Sequence, residues 1–177
     1  MPNHVCIETE RLILKTITME DAALVASSWK LDEAPISTQE AEEQIRWMMA
    51  NHAQNQPGKM VHLCLAIVFK DTGECIGWCG LDQRDLAKPH PVLFYLLKAS
   101  FWGQGLATEA ARAVLGYAFG EFALNQVDSA AAFENLASKR VMEKLGMHYQ
   151  GLDAEGGHAF TLTKDAFRQL QNNRDRR

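Results

Sequence analysis

The sequence predicts an α+β domain with a mixed, largely antiparallel sheet of about seven strands and flanking helices. Its 177 residues suit a single domain, residues 1–177, large enough to bury a full core. The predicted elements follow the order strand, two helices, three strands, helix, strand, helix, two strands. Asp71-Thr72-Gly73 joins two of the strands through a short turn, so these two are expected to form an antiparallel hairpin.

The first half of the chain is predicted to contain two helices and a meander of strands. Ser37 and Glu40 form a capping box before the second helix, and Thr18 with Asp21 forms a variant of this motif before the first helix. The strands are recognised by alternating or continuous apolar residues. The predicted elements are a strand at 11–15, helices at 22–29 and 37–51, and strands at 61–69, 75–81 and 92–97.

The second half begins with a long amphipathic helix that starts near Thr108 and ends near Gly120. This helix is expected to pack against the sheet, because apolar residues recur on one of its faces, namely Ala111, Val114, Leu115, Ala118 and Phe122. Asn135 is predicted to cap the next helix, and Gly146 suits the left-handed position at its end. The remaining predicted elements are strands at 126–133, 148–152 and 157–163 and a terminal helix at 164–172.

The turn that connects the strand at 92–97 to the long helix is a candidate anion site. Gly103 and Gly105 let the backbone approach a ligand without an intervening Cβ atom. The first amides of a helix have no intrahelical acceptor and, with the positive end of the helix dipole, favour phosphate oxygens. A tight strand-to-helix turn with close packing is the structural alternative. The chain has no Gly-x-x-x-x-Gly-Lys-Ser/Thr segment and no third glycine at Rossmann spacing, so common nucleotide sites fit poorly.

Charge and hydropathy exclude several classes of function. The net charge is −4, and the only basic run is the tail at 174–177, so nucleic acid is not an expected ligand. Residues 170–177 are predicted to be a frayed tail. No apolar stretch approaches the ~20 residues of a membrane span, and the N-terminus has no signal-peptide pattern. We therefore expect a cytoplasmic protein without a membrane partner.

The spacing of cysteine and histidine residues argues against a metal centre. The four cysteines form no Cys-x-x-Cys pair and lie mostly in apolar runs, which predicts buried, reduced thiols; they are Cys6, Cys64, Cys75 and Cys79. The six histidines show no His-x-x-x-His or His-Glu pairing at ligand spacing. No metal ligand is predicted.

Three separated motifs closely resemble those of the GNAT superfamily of acyl-CoA-dependent N-acetyltransferases. They are Tyr95-Leu96-Leu97, Phe101-Trp102-Gly103-Gln104-Gly105-Leu106-Ala107-Thr108-Glu109-Ala110, and Asn135-Leu136-Ala137-Ser138-Lys139-Arg140-Val141-Met142-Glu143-Lys144-Leu145-Gly146. The stretches 8–14 and 160–163 are similar to those of the branch that contains the ribosomal-protein N-terminal acetyltransferases. The resemblance spans nearly the whole chain.

This resemblance implies acetyl-CoA as cosubstrate and a sheet that splays open between its fourth and fifth strands, where the pantetheine arm would lie. The family's phosphate motif is Arg or Gln, two residues, Gly, one residue, then Gly or Ala, and Trp102, Gly105 and Ala107 occupy those places. Because the other contacts would be backbone amides, Trp102 is not expected to weaken CoA binding. The implied acetyl-CoA-binding residues are Tyr95, Leu96, Leu97, Trp102, Gly103, Gln104, Gly105, Leu106, Ala107, Thr108, Asn135 and Ser138.

The group that protonates the departing thiolate differs from the one that many family members use. Those members place a tyrosine seven residues after the asparagine, and Met142 occupies that place here. The resemblance therefore implies Ser138 as the catalytic residue, or water, while Asn135 would hydrogen-bond CoA. The structural alternative is that Asn135 is only an N-cap and Ser138 a polar residue of the first helical turn.

The base that would accept the proton of the amine also departs from the family. Val92 occupies the place where branch members often carry a glutamate on the fourth strand. Substitutes in principle, each otherwise an ordinary solvated loop residue, are Asp82, Asp85 and His90. At pH 7 an α-amino group, with a pKa of about 7.8, is about one-tenth neutral, whereas lysine is neutral at below about one part in a thousand. A site without a strong base therefore favours a weakly basic amine.

The predicted reaction is the transfer of an acetyl group from acetyl-CoA to a primary amine by direct attack in a ternary complex, with a peptide or protein N-terminus as the expected acceptor. A small-molecule N-acetyltransferase for polyamines or antibiotics and a non-catalytic CoA-binding module are the alternatives. Stretches 29–57 and 82–91 are expected to wall the acceptor pocket, with Asp32, Glu33 and Trp78 as candidates to hold the amine. A monomer and a homodimer, and an acetyl and a longer acyl group, remain open.

Overall fold

The computed structural model describes residues 4–85 and 88–174. These residues form one sheet and five α-helices. The strands are β1 (Cys6–Glu8), β2 (Leu12–Lys15), β3 (His62–Phe69), β4 (Cys75–Asp82), β5 (Val92–Leu97), β6 (Gln126–Ala131), β7 (His148–Leu152) and β8 (His158–Thr163). The helices are α1 (Ala22–Ser28), α2 (Thr38–His52), α3 (Leu106–Gly120), α4 (Leu136–Lys144) and α5 (Lys164–Arg174).

The sheet has the strand order β1-β2-β3-β4-β5-β6-β8-β7. All neighbouring strands are antiparallel except β5 and β6, which are parallel and share a single paired position, Val92 with Asp128. The predicted α+β class and the predicted splay are confirmed. The splay lies between β5 and β6, the fourth and fifth of the predicted strands, because the three-residue β1 was not predicted. Among the described strands β1 pairs with β2 alone, so its formation depends on tertiary structure.

The helices cover the two faces of the sheet and bury two separate clusters. The larger cluster joins α3 and α5 to one face and contains all five residues of the predicted α3 face. The smaller cluster lies on the opposite face, where Val25 of α1 and Ile45 of α2 pack against Trp78 of β4. The indole nitrogen of Trp78 donates to the backbone oxygen of Ser28, 3.1 Å away, which fixes α1 to the sheet.

The predicted caps are confirmed and most element ends differ from the predictions by no more than two residues. The Ser37 hydroxyl accepts from the Glu40 amide at 3.2 Å, and the Glu40 carboxylate accepts from the Ser37 amide at 2.8 Å. The carboxylate of Asp21 likewise accepts from the Thr18 amide at 2.9 Å. α5 extends to Arg174, two residues beyond its predicted end. The rest of the expected tail, 175–177, lies outside the described residues.

Three of the four cysteines are buried and none of the four forms a disulfide. Burial raises the pKa of Cys64 to about 12 and also raises the pKa of Cys75 and Cys79, so these thiols stay protonated. The prediction was wrong for Cys6, which is exposed because it lies on the edge strand β1. Within the described ranges, no helix combines the length and the apolar character needed to cross a bilayer.

Gly146, which follows the C-cap residue Leu145 of α4, should be a glycine that cannot be replaced without loss of stability. Its φ is +77°, and a Cβ atom there would lie 2.1 Å from Leu170 Cδ1. We expect Gly146→Ala to lower the free energy of unfolding by about 1–3 kcal/mol, from left-handed strain and overlap with Leu170. Gly120→Ala is the matched control, since a Cβ atom there would meet no neighbouring group within 4 Å, and it should be neutral or stabilising by about 0.5 kcal/mol. Equal changes in the free energy of unfolding of the two variants, measured by urea denaturation, would contradict this role of Gly146.

Candidate functional site

The gap between β5 and β6 opens directly after their one paired position. The hydroxyl of Ser129 on β6 donates to the Leu93 carbonyl of β5 at 3.1 Å, so this carbonyl faces β6. Backbone groups on a strand alternate in direction, so the N–H and C=O of Tyr95, two residues on, also face the gap. The carbonyl of Leu96 instead faces β4, where it closely approaches Gly77. Of the three predicted strand residues, Tyr95 and Leu97 therefore direct their backbone groups into the gap, and the Leu97 carbonyl is already bonded by the Trp102 indole.

The glycine-rich segment forms the predicted turn from β5 into α3. Gly103 and Gly105 have φ values of +74° and +78°, and Gly105 is the N-cap of α3. No described residue accepts a hydrogen bond from the first α3 amides, those of Leu106, Ala107 and Thr108. Trp102 is 66% exposed, and its indole nitrogen donates to the Leu97 carbonyl at 2.8 Å, which fixes the turn to the end of β5. The turn therefore presents free amides at the positive end of a helix dipole.

A carboxylate in the first turn of α3 connects this helix to the start of β2. Glu109 accepts hydrogen bonds from the Thr9 hydroxyl at 2.6 Å and from the Arg11 backbone at 2.9 Å, and its carboxylate lies 2.7 Å from the Arg11 guanidinium. Arg11 also donates to the Gln104 carbonyl at 3.0 Å. Partial burial acts to raise the pKa of Glu109, but the bonds from Thr9 and Arg11 outweigh it and lower that pKa. Glu109 therefore stays ionised and holds the turn in place.

Tyr95 and Ser138 meet across the gap. The phenol oxygen of Tyr95 lies 2.6 Å from Ser138 Oγ and donates to the Ser138 carbonyl at 3.1 Å. Burial raises the pKa of Tyr95, although the contact with Ser138 acts in the opposite sense, so the phenol keeps its proton at neutral pH. Asn135 is the N-cap of α4 and accepts from the Ser138 amide at 3.0 Å. Met142 of α4, at the place where the family resemblance would put a tyrosine, is fully buried in the core. The phenol near Ser138 is therefore that of Tyr95 on β5.

A cavity of about 680 Å³ lies on the opposite face of the sheet, between the strands and the helices α1 and α2. Leu96 and Phe94 of β5 form one wall. The aromatic side chains of Trp29, Trp47 and Trp78 line it, together with Glu43, Gln44, His62, Cys64, Asp82 and Arg84. The cavity and the glycine turn therefore lie on opposite sides of β5. It is apolar for the most part, with a few charged groups, as small-ligand sites commonly are.

His62 of β3 is buried at the base of this cavity. The side chain of Asn55 bonds both the His62 amide, at 3.1 Å, and the His62 carbonyl, at 2.7 Å. The imidazole lies between Trp47 and Phe94, with ring centroids 4.8 and 6.1 Å away. Its Nδ1 is buried without a hydrogen-bond partner in the described part of the chain, 3.8 Å from Asp82 Oδ1. Burial lowers the pKa of His62 to about 4, so the ring is neutral at physiological pH.

The residues predicted to replace the missing base have different surroundings. Asp82 lines the cavity, but its carboxylate is bonded by the Arg84 guanidinium, with Nε to Oδ1 at 2.8 Å. Burial acts to raise the pKa of Asp82, but Arg84 outweighs it, so that pKa is lowered. Asp85 and His90 are not among the described residues that line the cavity.

Of the three residues predicted to hold an amine, one lines the cavity and two lie outside it. Asp32 accepts from the Ala99 amide at 2.8 Å and does not line the cavity, and neither does Glu33. Trp78 lines the cavity but also fixes α1 through Ser28. His62 and the phenol of Tyr95 were not among the side chains predicted to line the site, since neither belongs to a motif whose spacing indicates a side-chain role. Glu109 lies inside a quoted motif, but its partners Thr9 and Arg11 are about 100 residues earlier, so their contact is tertiary.

Comparisons with known proteins agree on one family. The Acetyltransferase (GNAT) domain matches residues 11–148. The uncharacterized N-acetyltransferase p20 of Bacillus licheniformis is 26% identical over 152 residues, 81% of this chain and 83% of that protein. A ribosomal-protein alanine acetyltransferase from Vibrio fischeri superposes with a TM-score of 0.74 at 18% identity, over 91% of this chain and 97% of that chain. RimL, a ribosomal alpha-N-protein acetyltransferase in complex with coenzyme A, superposes with a TM-score of 0.73 at 14% identity, over 92% and 99%.

The neutral burial of His62 should make stability depend on pH. Between pH 6.5 and about 4 the unfolded chain binds a proton at this residue that the folded chain does not, so the stabilising contribution is present above pH 6.5 and is lost as pH falls toward 4. At about 1.36 kcal/mol per pKa unit, acidification removes up to about 3 kcal/mol through His62. When the pH is lowered from 7 to 4.5, the free energy of unfolding of His62→Gln should therefore fall by about 2–3 kcal/mol less than that of the wild type.

The measurement is urea unfolding of both proteins at several pH values. The pKa of His52, a partly buried residue, is also lowered, mainly by burial, so protonation of His52 destabilises both proteins in acid to the same extent. The difference between the two curves therefore isolates His62. Parallel curves for the wild type and His62→Gln would show that His62 is not buried in its neutral form.

Proposed function

Because the chain belongs to the GNAT acetyltransferase family, we propose that this N-acetyltransferase transfers the acetyl group of acetyl-CoA to the N-terminal α-amine of a protein or peptide. The position of β5 carries the proposal. Its Tyr95 backbone faces an open gap, with the glycine turn on one side of the strand and the aromatic cavity on the other. Cosubstrate and acceptor would thus approach the gap from opposite faces and react in a ternary complex.

The residues on the α3 side suit acetyl-CoA. The free amides of the turn and the α3 dipole favour the pyrophosphate oxygens, and the open space at Gly103 leaves room for them. The exposed backbone of Tyr95 would bond the amides of the pantetheine arm. Asn135 uses its side-chain oxygen to cap α4, which leaves its amide group to donate to the cosubstrate. Acetyl-CoA supplies a thioester whose carbonyl carbon accepts the amine.

Tyr95 and Ser138 suit the protonation of the departing thiolate. Their hydroxyl oxygens are 2.6 Å apart and lie beside the gap, so a proton given up by one is replaced from the other. The raised pKa of Tyr95 keeps a proton on the pair at neutral pH. A thiol with a pKa of about 8.5 leaves readily, so we expect this proton transfer to contribute a modest factor of about 10.

Two arguments support an α-amine as the acceptor. RimL and the Vibrio fischeri protein are both named as acetyltransferases of ribosomal proteins, and RimL as an alpha-N-protein acetyltransferase. Among the described residues that line the cavity, the carboxylates are those of Asp82, which is paired with Arg84, and Glu43, which is exposed and accepts a bond from Gln39 at 3.3 Å. An amine that is partly neutral at pH 7 needs less help from a base than lysine does, by about 3.5 kcal/mol.

A small amine is the second candidate acceptor. The cavity volume of about 680 Å³ lies within the range of small-molecule sites, and its aromatic walls can contact an organic amine on several sides. Whether the acceptor is a small amine or a peptide depends on whether the mouth of the cavity admits a peptide chain. An assay that offers both kinds of acceptor decides between them.

We expect thiol release from acetyl-CoA with acceptors that carry a free α-amine. The panel contains peptides beginning with serine or alanine, lysine peptides with blocked N-termini, spermidine and an aminoglycoside, each at pH 7 to 9. Rates with free N-termini should exceed those with blocked lysine peptides by about 10² or more at pH 7, following the neutral fractions. Activity confined to spermidine or the aminoglycoside would transfer the proposal to small amines. Tight CoA binding without thiol release by any acceptor would refute catalysis.

Replacement of either hydroxyl at the gap should slow acetyl transfer without weakening CoA binding. We expect Tyr95→Phe and Ser138→Ala each to lower kcat about 10-fold, and the double variant to lower it hardly further, because the two groups act as one unit. Tyr149→Phe is the matched control, since Tyr149 lies on β7 and bonds His158. Calorimetric titration with CoA and steady-state kinetics measure both quantities. A double variant in which the two losses of kcat multiply would contradict a shared proton-donor role. So would substitutions that weaken CoA binding and leave kcat unchanged.

A further inference from the structure

We propose that His62 accepts the proton of the attacking amine and that Asp82 positions its imidazole. This inference rests on the proposed function, since it assigns a base to the same reaction. It replaces the carboxylate that the sequence lacks at Val92. The base would come from β3, two strands away from the expected place.

The register of the sheet brings His62 to the acceptor side of the gap. His62 pairs with Asp82 across β3 and β4, and Asp82 pairs with Val92 across β4 and β5. Directly paired residues on neighbouring strands point to the same face, so these three side chains form one row. That face also carries Phe94 and Leu96, which line the cavity. A base in this row faces an acceptor in the cavity instead of the cosubstrate on the α3 side.

Asp82 is the weaker base of the two groups, because the Arg84 guanidinium stabilises its ionised carboxylate and lowers its pKa. Both oxygens of Asp82 are bonded by Arg84, and the guanidinium of Arg84 is held in turn over the Trp47 ring at 4.5 Å. Nδ1 of His62 faces Asp82 Oδ1 at 3.8 Å, which favours the tautomer with its hydrogen on Nδ1. The lone pair is then on Nε2. The hydrogen bonds between the Asn55 side chain and the His62 backbone fix the position from which this ring extends.

The proton balance of the reaction closes with these groups. The neutral acceptor nitrogen forms a bond to the acetyl carbonyl carbon, and the carbon–sulfur bond breaks with its electron pair on sulfur. The nitrogen, positively charged once it has formed this bond, gives a proton to Nε2 of His62, and the thiolate takes one from the Tyr95–Ser138 pair. The resulting imidazolium lies beside the Asp82 carboxylate, which stabilises its charge. Release of the His62 proton to solvent and uptake of one by Tyr95–Ser138 restore both groups.

The other charged groups near His62 predict the form of the pH profile. Asp82 of β4 favours the imidazolium, while Arg84 and His52 of α2 oppose it, and Glu43 of α2 lines the same cavity. Because His62 is a weak base, the amine must arrive neutral. The rate should therefore rise with the neutral fraction of the acceptor. The rising limb of the pH–rate profile should then follow the pKa of the acceptor used. Loss of His62 should lower the plateau and leave that limb in place.

The test uses the most active acceptor of the panel above in single-turnover assays from pH 6 to 9. We expect His62→Gln to lower the transfer rate by about 10²-fold and Asp82→Asn by about 10-fold, with CoA affinity unchanged for both. Imidazole added to His62→Ala should restore part of the rate, and the rescue should increase with the neutral fraction of imidazole. A merely structural histidine would not produce this dependence on the rescuing base.

His52→Gln is the matched control, because His52 also has a buried nitrogen without a described partner but lines a different cavity. It should transfer acetyl groups at the wild-type rate. If the wild type is active and both His62→Gln and Asp82→Asn match it, the inference is overturned while the proposed function stands. If His62→Gln does not fold, Asp82→Asn decides in the same way, and a wild-type rate there overturns the inference. A wild type inactive on every amine overturns the proposed function and this inference with it.

Discussion

The incomplete pairing of β5 with β6 is the constraint on which the site depends. Parallel neighbours in a sheet usually continue their ladder, but here one residue pair holds the strands together and the rest of β5 has no strand partner on that side within the described chain. An unpaired strand edge inside a domain needs hydrogen bonds from elsewhere. Trp102 satisfies the Leu97 carbonyl, and the Tyr95 backbone remains available for a ligand. The gap is therefore held open by neighbouring side chains instead of being closed by a ladder.

The two sides of this gap have different chemical characters. On the α3 side, backbone amides and a helix dipole provide a positive potential, while the nearby guanidinium of Arg11 is paired with Glu109. That pair connects β2 to α3 and therefore couples the position of the glycine turn to the sheet. On the other side, aromatic rings surround a small number of ionised groups. This separation suits a reaction in which an anionic cosubstrate and an amine must approach the same carbon from opposite directions.

The proton transfers proposed for this chain use two side chains from the sheet, together with the Ser138 hydroxyl of α4. The phenol beside Ser138 comes from β5, and the neutral imidazole that faces the cavity comes from β3. Both are held by neighbours that do not titrate near neutral pH, the α4 backbone at Ser138 in one case and Asn55 in the other. Rigid strands keep such groups in position more closely than loops do.

The sequence by itself determined most elements of the fold and the location of the glycine turn. Capping boxes, apolar periodicity and glycine positions depend on neighbours within a few residues, so α2, β5 and the turn at Gly103 and Gly105 could be predicted from local chemistry. The three-residue β1, the Tyr95–Ser138 contact and the Thr9–Glu109 bond depend on tertiary contacts, and no local pattern encodes them. His62 is the clearest case, because only the strand register places it in one row with Asp82 and Val92. Burial between Trp47 and Phe94, which keeps the imidazole neutral, was likewise decided by the tertiary structure, since desolvation depends on everything packed around a side chain.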